Sequence, residues 1–443
     1  MPADAAKLPP FRKLPFKAPD MEVRRGEGGA VYLRSRTPLG PVPRSIPHVL
    51  DERAAEHPER PWLKQRLPNH GDWRTVTYGD GAKITRSLAQ ALLDRGLGPD
   101  APLLILSGNS IEHALMSMAA QRIAAPATPI SMAYSVMSTD FAKLKHCFNA
   151  VQPKAIFVQT MDPFRKALAT LPLEGVAVIS ADGSEGSEAF ATLAETPATS
   201  VVDTAMDWLG PDSIGKYLFT SGSTGMPKPT PQSQGQMTAQ IAARNAIDEP
   251  GPEHDPNEVL QNLDWMPWSH ISGGNVNYNG CLALGGTFHI DEGRPMPGLF
   301  VTTMKNAAEI RPQYFGSAPI AYAMLAEAME QDAEFRDAFF SRMRYMVYGG
   351  ATLSDDLYDR IQALAIASTG ERIPLTTMYG ATETQGVTMV HWQLERVGMV
   401  GLPLPGQTLK LVPVGNKMEV RVKGPMVMKG YLNLPEKNKE VFD

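Results

Sequence analysis

The amino-acid sequence predicts an α/β fold, with two α/β subdomains built on mainly parallel sheets and a small β-rich, barrel-like subdomain. Between about residues 46 and 395, short apolar runs alternate with segments of helical periodicity. That alternation is typical of βαβ units, whose strands form parallel sheets. After residue 395, two runs of strand-forming residues flank a Gly-Asn-Lys turn, which indicates a β-hairpin instead.

The chain has 443 residues, which is too long for a single core, so several packed units are expected. The first is a Pro-rich, extended N-terminal segment, which precedes the two α/β subdomains and the β-rich subdomain. The predicted boundaries are 1–45 for the extended segment, 46–210 and 211–395 for the α/β subdomains, and 396–443 for the β-rich subdomain.

Individual strands and helices follow from the same patterns. Residues 103–106 are a buried-strand candidate, and the helix after them has Ile111, Leu115, Met118 and Ala119 on one face. Further strand candidates are residues 155–158, 176–179, 217–219, 314–315 and 345–348. The predicted helices of the second block are residues 319–330 and the stretch after Ser354, and the predicted hairpin joins residues 409–412 to residues 418–422.

Composition and charge exclude several classes of protein. Apolar residues make up 43% of the chain and charged residues 20%, as in ordinary globular proteins. The 42 basic and 47 acidic side chains give a net charge of −5, so there is no basic footprint for nucleic acid. No segment resembles a membrane span or a secretory signal, and Cys147 and Cys281 lack a CxxC spacing, as expected of free thiols in a reducing compartment. We therefore expect a cytoplasmic protein without nucleic-acid or membrane partners, and a homodimer stays open.

The most informative segment begins where the predicted strand at 217–219 ends. Its residues are Thr220, Ser221, Gly222, Ser223, Thr224 and Gly225, and Lys228 follows shortly after. Glycines let backbone N–H groups approach an anion, hydroxyls donate to phosphate oxygens, and a lysine adds positive charge. The pattern favours a polyphosphate site, although composition alone fits a flexible Ser/Gly surface loop equally well. It is not a Walker A loop, because prolines flank Lys228 on both sides.

This loop resembles the signature loop of the adenylate-forming superfamily, which contains acyl- and aryl-CoA synthetases, luciferases and peptide-synthetase adenylation domains. The resemblance covers residues 220–228 and departs at Pro229, where the family usually has a small residue. It implies that the loop from Thr220 to Lys228 binds the phosphates of ATP. It also implies the fold of the large N-terminal domain of these enzymes.

Two further motifs resemble nucleotide-binding motifs of the same superfamily. Residues 379–384 are close to its Tyr-Gly-x-Thr-Glu motif, and residues 348–351 resemble a turn that lines the adenine and acyl pocket. The resemblance implies catalytic roles for Thr382, which would hold the α-phosphate, and for Glu383, which would bind Mg²⁺. The residues implied to bind adenine are Gly349, Gly350, Ala351, Met378, Tyr379 and Gly380. Without the phosphate loop, each motif would fit an ordinary turn.

A Pro-containing segment at 265–270 resembles the family loop that borders the substrate carboxylate. The resemblance implies a catalytic, carboxylate-orienting role for His270 and an acid pocket formed by His270, Ile271, Ser272 and Gly274. A lone histidine among apolar residues is more often structural, so this assignment depends on the order of the motifs. The closing stretch 420–431 also resembles a family segment, with an expected structural role.

Several segments resemble feruloyl-CoA synthetases within the superfamily, namely residues 40–47, 105–115, 133–135, 140–144 and 273–277. The implied function is ATP- and Mg²⁺-dependent activation of an aryl, feruloyl-like carboxylic acid to an acyl-adenylate. Thioester formation with coenzyme A would follow, with AMP and pyrophosphate as the other products. Two alternatives stay open. One is activation of a fatty or amino acid for CoA or a carrier protein, with Asp264 as the candidate partner of an amine, and the other is a non-enzymatic nucleotide-binding protein.

In this superfamily a C-terminal lid domain, with a ribose-binding aspartate, a hinge and a catalytic lysine, follows the region that corresponds to the end of this sequence. We therefore expect this chain to be the large domain alone, with the lid domain absent. Such a chain would bind nucleotide but adenylate its substrate slowly.

Overall fold

The computed structural model describes residues 8–220, 225–249, 255 and 257–442. The strands of the N-terminal half are β1 (Met21–Arg25), β2 (Val31–Ser35), β3 (Pro61–Arg66), β4 (Trp73–Thr77), β5 (Leu103–Leu106), β6 (Ala127–Pro129), β7 (Ala155–Val158), β8 (Ala177–Ser180), β9 (Glu188–Ala189), β10 (Ile214–Thr220) and β11 (Lys228–Ser233). Those of the C-terminal half are β12 (Gln261–Asp264), β13 (Thr287–Ile290), β14 (Tyr314–Ser317), β15 (Tyr345–Tyr348), β16 (Leu375–Ala381), β17 (Gln385–Met389), β18 (Leu402–Pro403), β19 (Thr408–Val414) and β20 (Lys417–Lys423).

The α-helices connect these strands along the whole chain. They are α1 (Ile46–Glu56), α2 (Tyr78–Asp94), α3 (Ile111–Arg122), α4 (Ala142–Val151), α5 (Arg165–Leu168), α6 (Phe190–Ala194), α7 (Ser200–Asp207), α8 (Gln234–Ala246), α9 (Tyr278–Ala283), α10 (Phe300–Ile310), α11 (Pro319–Gln331), α12 (Ala333–Phe340), α13 (Asp355–Thr369) and α14 (Pro435–Val441). Short 3₁₀ turns cover Glu27–Gly29, Met132–Tyr134 and Asp162–Phe164, and a π-helical turn covers Ser272–Asn277. We call this last segment the π turn.

The first large sheet has seven strands in the order β11-β10-β6-β5-β7-β8-β9. Its neighbours are parallel except for β10 and β11, which form an antiparallel hairpin at one edge. Leu103 and Ile105 of β5 pack on one side of the sheet, and Leu104 and Leu106 pack on the other. Such burial on both faces explains the continuous apolar runs that predicted β5 and β7. The strand predicted at 176–179 is confirmed with a shift of one residue.

The second large sheet has nine strands in the order β18-β17-β16-β15-β14-β12-β13-β3-β4. The strands from β16 to β3 are parallel, and antiparallel strands cover both ends. The strands predicted at 314–315 and 345–348 lie in its centre as β14 and β15, and α11 and α13 confirm the two predicted helices. The mainly parallel α/β class is therefore confirmed.

Helix α3 lies between the two large sheets. It contacts β5, β6 and β10 of the seven-stranded sheet and β3 of the nine-stranded sheet. The predicted helix is confirmed, and every residue of α3 is buried, not only the four apolar positions that share one face. A helix covered by sheets on both sides has no solvent face, and a one-sided apolar stripe does not describe it.

The small β-rich unit is an open antiparallel sheet in the order β1-β2-β19-β20. The predicted hairpin is confirmed as β19 and β20, but the predicted barrel-like form was wrong, because four strands are too few to close around a packed interior. Two of these strands come from the Pro-rich N-terminal segment. Local sequence gives no sign of this pairing, because β2 and β19 lie far apart along the chain.

Sheet membership crosses the predicted subdomain boundaries, which themselves stay predictions. The strands β3 and β4 belong to the nine-stranded sheet, while β10 and β11 belong to the seven-stranded sheet. The chain therefore passes between the sheets more often than its alternating pattern indicates. In the part of the chain that the structure describes, no helix is both long and apolar enough to span a bilayer. Cys147 and Cys281 are free and buried, as predicted.

A buried arginine ties three helices together beside α3. The guanidinium of Arg122 donates to Asp51 on α1 at 2.9 Å and to Thr85 on α2 at 2.9 Å, and its side chain also contacts Met206 on α7. Arg122 has no exposed surface, so its charge depends on Asp51 for compensation.

We predict that Asp51→Ala destabilises the protein by about 1–3 kcal/mol, because it leaves a buried cation without its carboxylate. Thermal or urea unfolding measures this loss. Asp203→Ala is the matched control, since it removes the exposed ion pair with Arg86 and should cost less than about 1 kcal/mol. Equal effects of the two substitutions would contradict the prediction.

Candidate active site

The predicted phosphate loop connects β10 to β11. Thr220, the last residue of β10, lies directly opposite Lys228, the first residue of β11. Gly225 has a φ of +115°, a conformation that favours glycine at the exit of the loop. The predicted ligands Ser221, Gly222, Ser223 and Thr224 lie outside the described residues. The hairpin therefore places the two ends of the predicted phosphate site side by side.

Thr220 presents a buried hydroxyl to this hairpin end. Its Oγ1 has no hydrogen-bond partner among the described residues. A buried polar atom without a partner is costly in a folded protein unless a ligand or water satisfies it. The hydroxyl therefore suits a phosphate oxygen as an acceptor.

Pro229 is accommodated because β11 is an edge strand. Pro229 pairs with Phe219, and its carbonyl points away from β10 to accept a hydrogen bond from the backbone of Leu432 at 3.0 Å. Proline has no N–H to donate, so it is tolerated where that side of the strand faces outward. The departure from the family pattern at this position leaves the hairpin pairing intact.

The second hairpin, β16 and β17, carries the Tyr-Gly-x-Thr-Glu motif. Tyr379 is about half exposed, at 48% of its surface, so one ring face is available for stacking. A side chain at Gly380 would lie 2.1 Å from the carbonyl of Gln385, so only glycine fits there. Thr382 and Glu383 follow in the turn, which the hydroxyl of Thr384 closes by contacting the backbone of Ala381 at 3.1 Å.

The glycines after β15 lie beside this hairpin. Strands β15 and β16 are parallel neighbours, so their carboxyl ends meet at the same edge of the sheet. A side chain added at Gly349 would lie 3.6 Å from the carbonyl of Met378, and Gly350 has a φ of +79°. Gly349 therefore lies beside Met378, the residue before Tyr379, and Ala351 follows the two glycines. Their ligand roles stay predictions.

Tyr431 joins the phosphate hairpin to Glu383. The ammonium of Lys228 donates to the Tyr431 hydroxyl at 3.1 Å, and that hydroxyl donates to Glu383 Oε1 at 2.7 Å. Burial, and then the Glu383 carboxylate, raise the pKa of Tyr431 well above its usual range, so the hydroxyl keeps its proton. Tyr431 was not predicted as a site residue, because its partners lie far away in sequence. The closing-segment resemblance was the only signal near it.

The predicted acid pocket lies at the π turn. His270, Ile271 and Ser272 lead into it, and Gly274 donates its N–H to the carbonyl of His270 at 2.9 Å. A side chain at Gly274 would lie 2.4 Å from the carbonyl of Trp268, so this close approach requires glycine. His270 is exposed overall, but its ring is partly buried, and this burial lowers the pKa of the imidazole. It is therefore largely neutral at pH 7.

Lys216 of β10 was not predicted as a site residue, but its side chain contacts the π turn. Its ammonium donates to the carbonyl of Gly274 at 2.8 Å and to Oδ1 of Asn275 at 3.0 Å. Lys216 is 4% exposed, and burial lowers its pKa from 10.5 to about 7. Within the described ranges no carboxylate forms an ion pair with it. The sequence does not indicate this contact, because a lysine inside an apolar strand pattern does not identify its partners.

A cavity of about 380 Å³ opens between α8, the π turn and the strands β12 and β14 to β17. The apolar residues that line it include Ile241, Val276, Val347, Met378 and Met389. Its neutral polar residues include Gln240, Asn262, Asn275, Asn277 and Tyr314. Its charged residues are Arg60, which donates to the carbonyl of Gly285, and two ion pairs, Arg244 with Asp248 and Arg344 with Glu258.

Asp264, the candidate partner of an amine, is buried and already engaged. One carboxylate oxygen accepts the N–H of Met266 at 2.7 Å, and the other accepts the amide of Asn277 at 2.8 Å. Burial raises the pKa of Asp264 to about 7. The described residues contain no cluster of three or more His, Cys, Asp or Glu side chains that could hold a metal alone. Mg²⁺ at Glu383 would therefore need phosphate oxygens and water as its other ligands.

Comparison with known proteins gives a consistent result. A family profile described as AMP-binding enzyme matches residues 50–432. The chain is 23% identical over 378 residues to an oxalate–CoA ligase of Arabidopsis thaliana, covering 81% of this chain and 68% of that protein. It is 24% identical over 434 residues to 4-coumarate–CoA ligase 5 of Oryza sativa subsp. japonica, covering 93% of this chain and 74% of that protein.

The fold is also similar to solved structures. A long-chain-fatty-acid–CoA ligase, FadD1 from Archaeoglobus fulgidus, superimposes with a TM-score of 0.73 and 17% sequence identity. The match covers 95% of this chain and 81% of that one. The arrangement of the sheets is therefore the one found in this group of enzymes.

We predict that Lys216→Met changes the pH dependence of stability. Because the folded-state pKa of Lys216 is about 7 and its ordinary value is 10.5, the unfolded chain holds one more proton between these pH values. Lys216 therefore makes stability rise with pH in that window, by up to about 1.4 kcal/mol per pH unit, and the methionine variant lacks this slope.

The measurement is the difference in Tm between Lys216→Met and the wild type at several values from pH 7 to pH 9.5. The Tm of the variant relative to the wild type should be highest near pH 7 and should fall as the pH rises. All other titrating groups are common to both proteins and cancel in the difference. A Tm difference independent of pH would contradict the shifted pKa.

Proposed function

Because the chain belongs to the AMP-binding enzyme family, with acid–CoA ligases among its relatives, we propose that it activates an aryl carboxylic acid. ATP and Mg²⁺ would serve the first step and coenzyme A the second, with AMP and pyrophosphate released. The observation that carries this proposal is the meeting of two hairpins at Tyr431, which brings Lys228 of the phosphate loop into one hydrogen-bonded chain with Glu383.

The nucleotide would lie across the two hairpins. Thr220 and Lys228 would bind the β- and γ-phosphates, and Thr382 would hold the α-phosphate. The Tyr379 ring would stack on adenine above Gly349. Mg²⁺, when bound at Glu383, would offset the negative charge of the phosphates. The Thr220 hydroxyl, which lacks a partner among the described residues, and the closeness of Gly349 to Met378 support this placement.

The acid would approach from the π turn. One oxygen of its carboxylate would attack the α-phosphorus while the bond to pyrophosphate breaks, and the thiol of CoA would then displace AMP from the carbonyl carbon. His270, neutral at pH 7, can donate a hydrogen bond to the carboxylate without a strong ion pair that would weaken its attack. The chain would act mainly by holding the reactants in line.

The cavity beyond the π turn supports an aryl acid with neutral polar substituents. Its volume of about 380 Å³ is within the usual range of small-molecule sites. Tyr314 and Asn262 offer hydrogen bonds to a phenolic or ether oxygen. Two of the cations that line it, Arg244 and Arg344, are paired with carboxylates, so neither has a free charge for a second carboxylate on the substrate. The engaged state of Asp264 likewise supports CoA-linked aryl acids over amino acids.

We predict that hydroxycinnamic and hydroxybenzoic acids release pyrophosphate from ATP at least about ten times faster than aliphatic, dicarboxylic or amino acids, a preference that corresponds to about 1.4 kcal/mol. The assay compares pyrophosphate release, AMP release and CoA thioester formation across this panel. Preferred turnover of a long-chain fatty acid or an amino acid would refute the aryl assignment.

We also predict that Glu383→Gln weakens Mg²⁺-dependent ATP binding about 10–100-fold, since the amide keeps the shape but loses the charge that Mg²⁺ prefers. Calorimetric titration with ATP, with and without Mg²⁺, measures the change. Glu334→Gln, at the exposed start of α12, is the control and should bind ATP like the wild type. Unchanged binding by Glu383→Gln would count against a nucleotide site here.

A further inference from the structure

We propose that Lys216 is a positioning residue of the adenylation step, which fixes the π turn beside the acid and ties it, through Asn275 and Gln232, to Thr382. This inference rests on the proposed function and extends it to residues that would touch neither ATP nor the acid.

The π turn needs an external hydrogen-bond donor. A π-helical turn is wider than an α-helix, and such turns commonly mark functional sites. The ammonium of Lys216 satisfies the carbonyl of Gly274 and the side chain of Asn275 at its centre. Gly274 is one of the residues predicted to line the acid pocket, so Lys216 holds the pocket wall directly.

A chain of buried amides continues from Asn275 to the nucleotide side. Asn275 Nδ2 donates to Gln232 Oε1 at 3.3 Å, and Gln232 Nε2 donates to the carbonyl of Thr382 at 2.9 Å. Gln385 donates to the same oxygen of Gln232. Asn275, Gln232 and Gln385 are each 2% exposed or less. A continuous series of hydrogen bonds therefore connects Asn275, in the wall of the predicted acid pocket, to Thr382, the residue predicted to hold the α-phosphate.

Lys216 sets the direction of this chain. When protonated, Lys216 has only donors, so Asn275 turns its oxygen toward Lys216 and its nitrogen toward Gln232. Gln232 must then accept with its oxygen, which leaves its nitrogen for the carbonyl of Thr382. A neutral side chain at 216 without donors would release this constraint on Asn275, and its amide could rotate away from Gln232.

Packing alone does not call for a lysine here. A buried ammonium without a carboxylate is costly, and an apolar residue of similar length would fill the same space. Lys216 therefore contributes something other than stability. Because a misplacement of about 1 Å can lower an enzymatic rate about 100-fold, alignment of the acid with the α-phosphate is the role that its contacts suit.

The test compares Lys216→Met, Gln232→Leu and the double variant. Each single variant should lower kcat for acid-dependent pyrophosphate release about 10–100-fold. Calorimetric affinity for ATP should stay within about threefold of the wild type, and Lys216→Met should keep a Tm near that of the wild type at pH 7. Because both residues act through one chain, the double variant should be no more than about threefold slower than the slower single variant.

Different failures are distinguishable in this experiment. Wild-type kcat in Lys216→Met, or losses that multiply in the double variant, would overturn the positioning role and leave the proposed function intact. A parallel loss of ATP affinity, Tm and kcat in Lys216→Met would show a purely structural role. Asn275→Ala, which leaves the ammonium in place, then tests the chain separately and should also lower kcat alone. A wild-type chain that releases pyrophosphate with no acid of the panel would overturn both proposals.

Discussion

Hydrogen bonds from Gln232 hold the two large sheets together at the point where the candidate site forms. Gln232 lies on β11 of the seven-stranded sheet, and it reaches the turn after β16 of the nine-stranded sheet through the carbonyl of Thr382. Helices α3 and α8 each contact both sheets. The hairpins carrying the phosphate loop and Glu383 meet at the edge where Gln232 links the two sheets.

The site concentrates buried polar and charged groups that an ordinary core would avoid. Lys216 and Asp264 lie on opposite sides of the π turn, each buried, and they contact its backbone or amide side chains rather than each other. Burial shifts the pKa of each toward about 7, which measures how strongly the protein disfavours their charged forms. Such clusters are more typical of functional sites than of structural cores. At the π turn, therefore, the cost of burying charged groups is tolerated because those groups hold the turn in position.

The sequence predicted what local patterns determine. The runs that form β5, β7 and β15 are continuous apolar segments, and the periodicity of α11 and α13 is local as well. The nucleotide motifs were also visible, because each is contiguous. Tyr431 and Lys216 were missed because their roles depend on contacts with residues distant in sequence, and β1 and β2 were missed for the same reason. The residues around Lys216 in its strand, or around Tyr431 in its loop, form no local pattern from which the distant partner could be predicted.

The relation between Tyr431 and Glu383 gives the site a second property. The Tyr431 hydroxyl donates to Oε1 of the Glu383 carboxylate, and the backbone of Met428 donates to the carbonyl of Glu383 at 2.7 Å. Binding of Mg²⁺ at Glu383 would therefore compete with a contact that anchors the segment leading to α14.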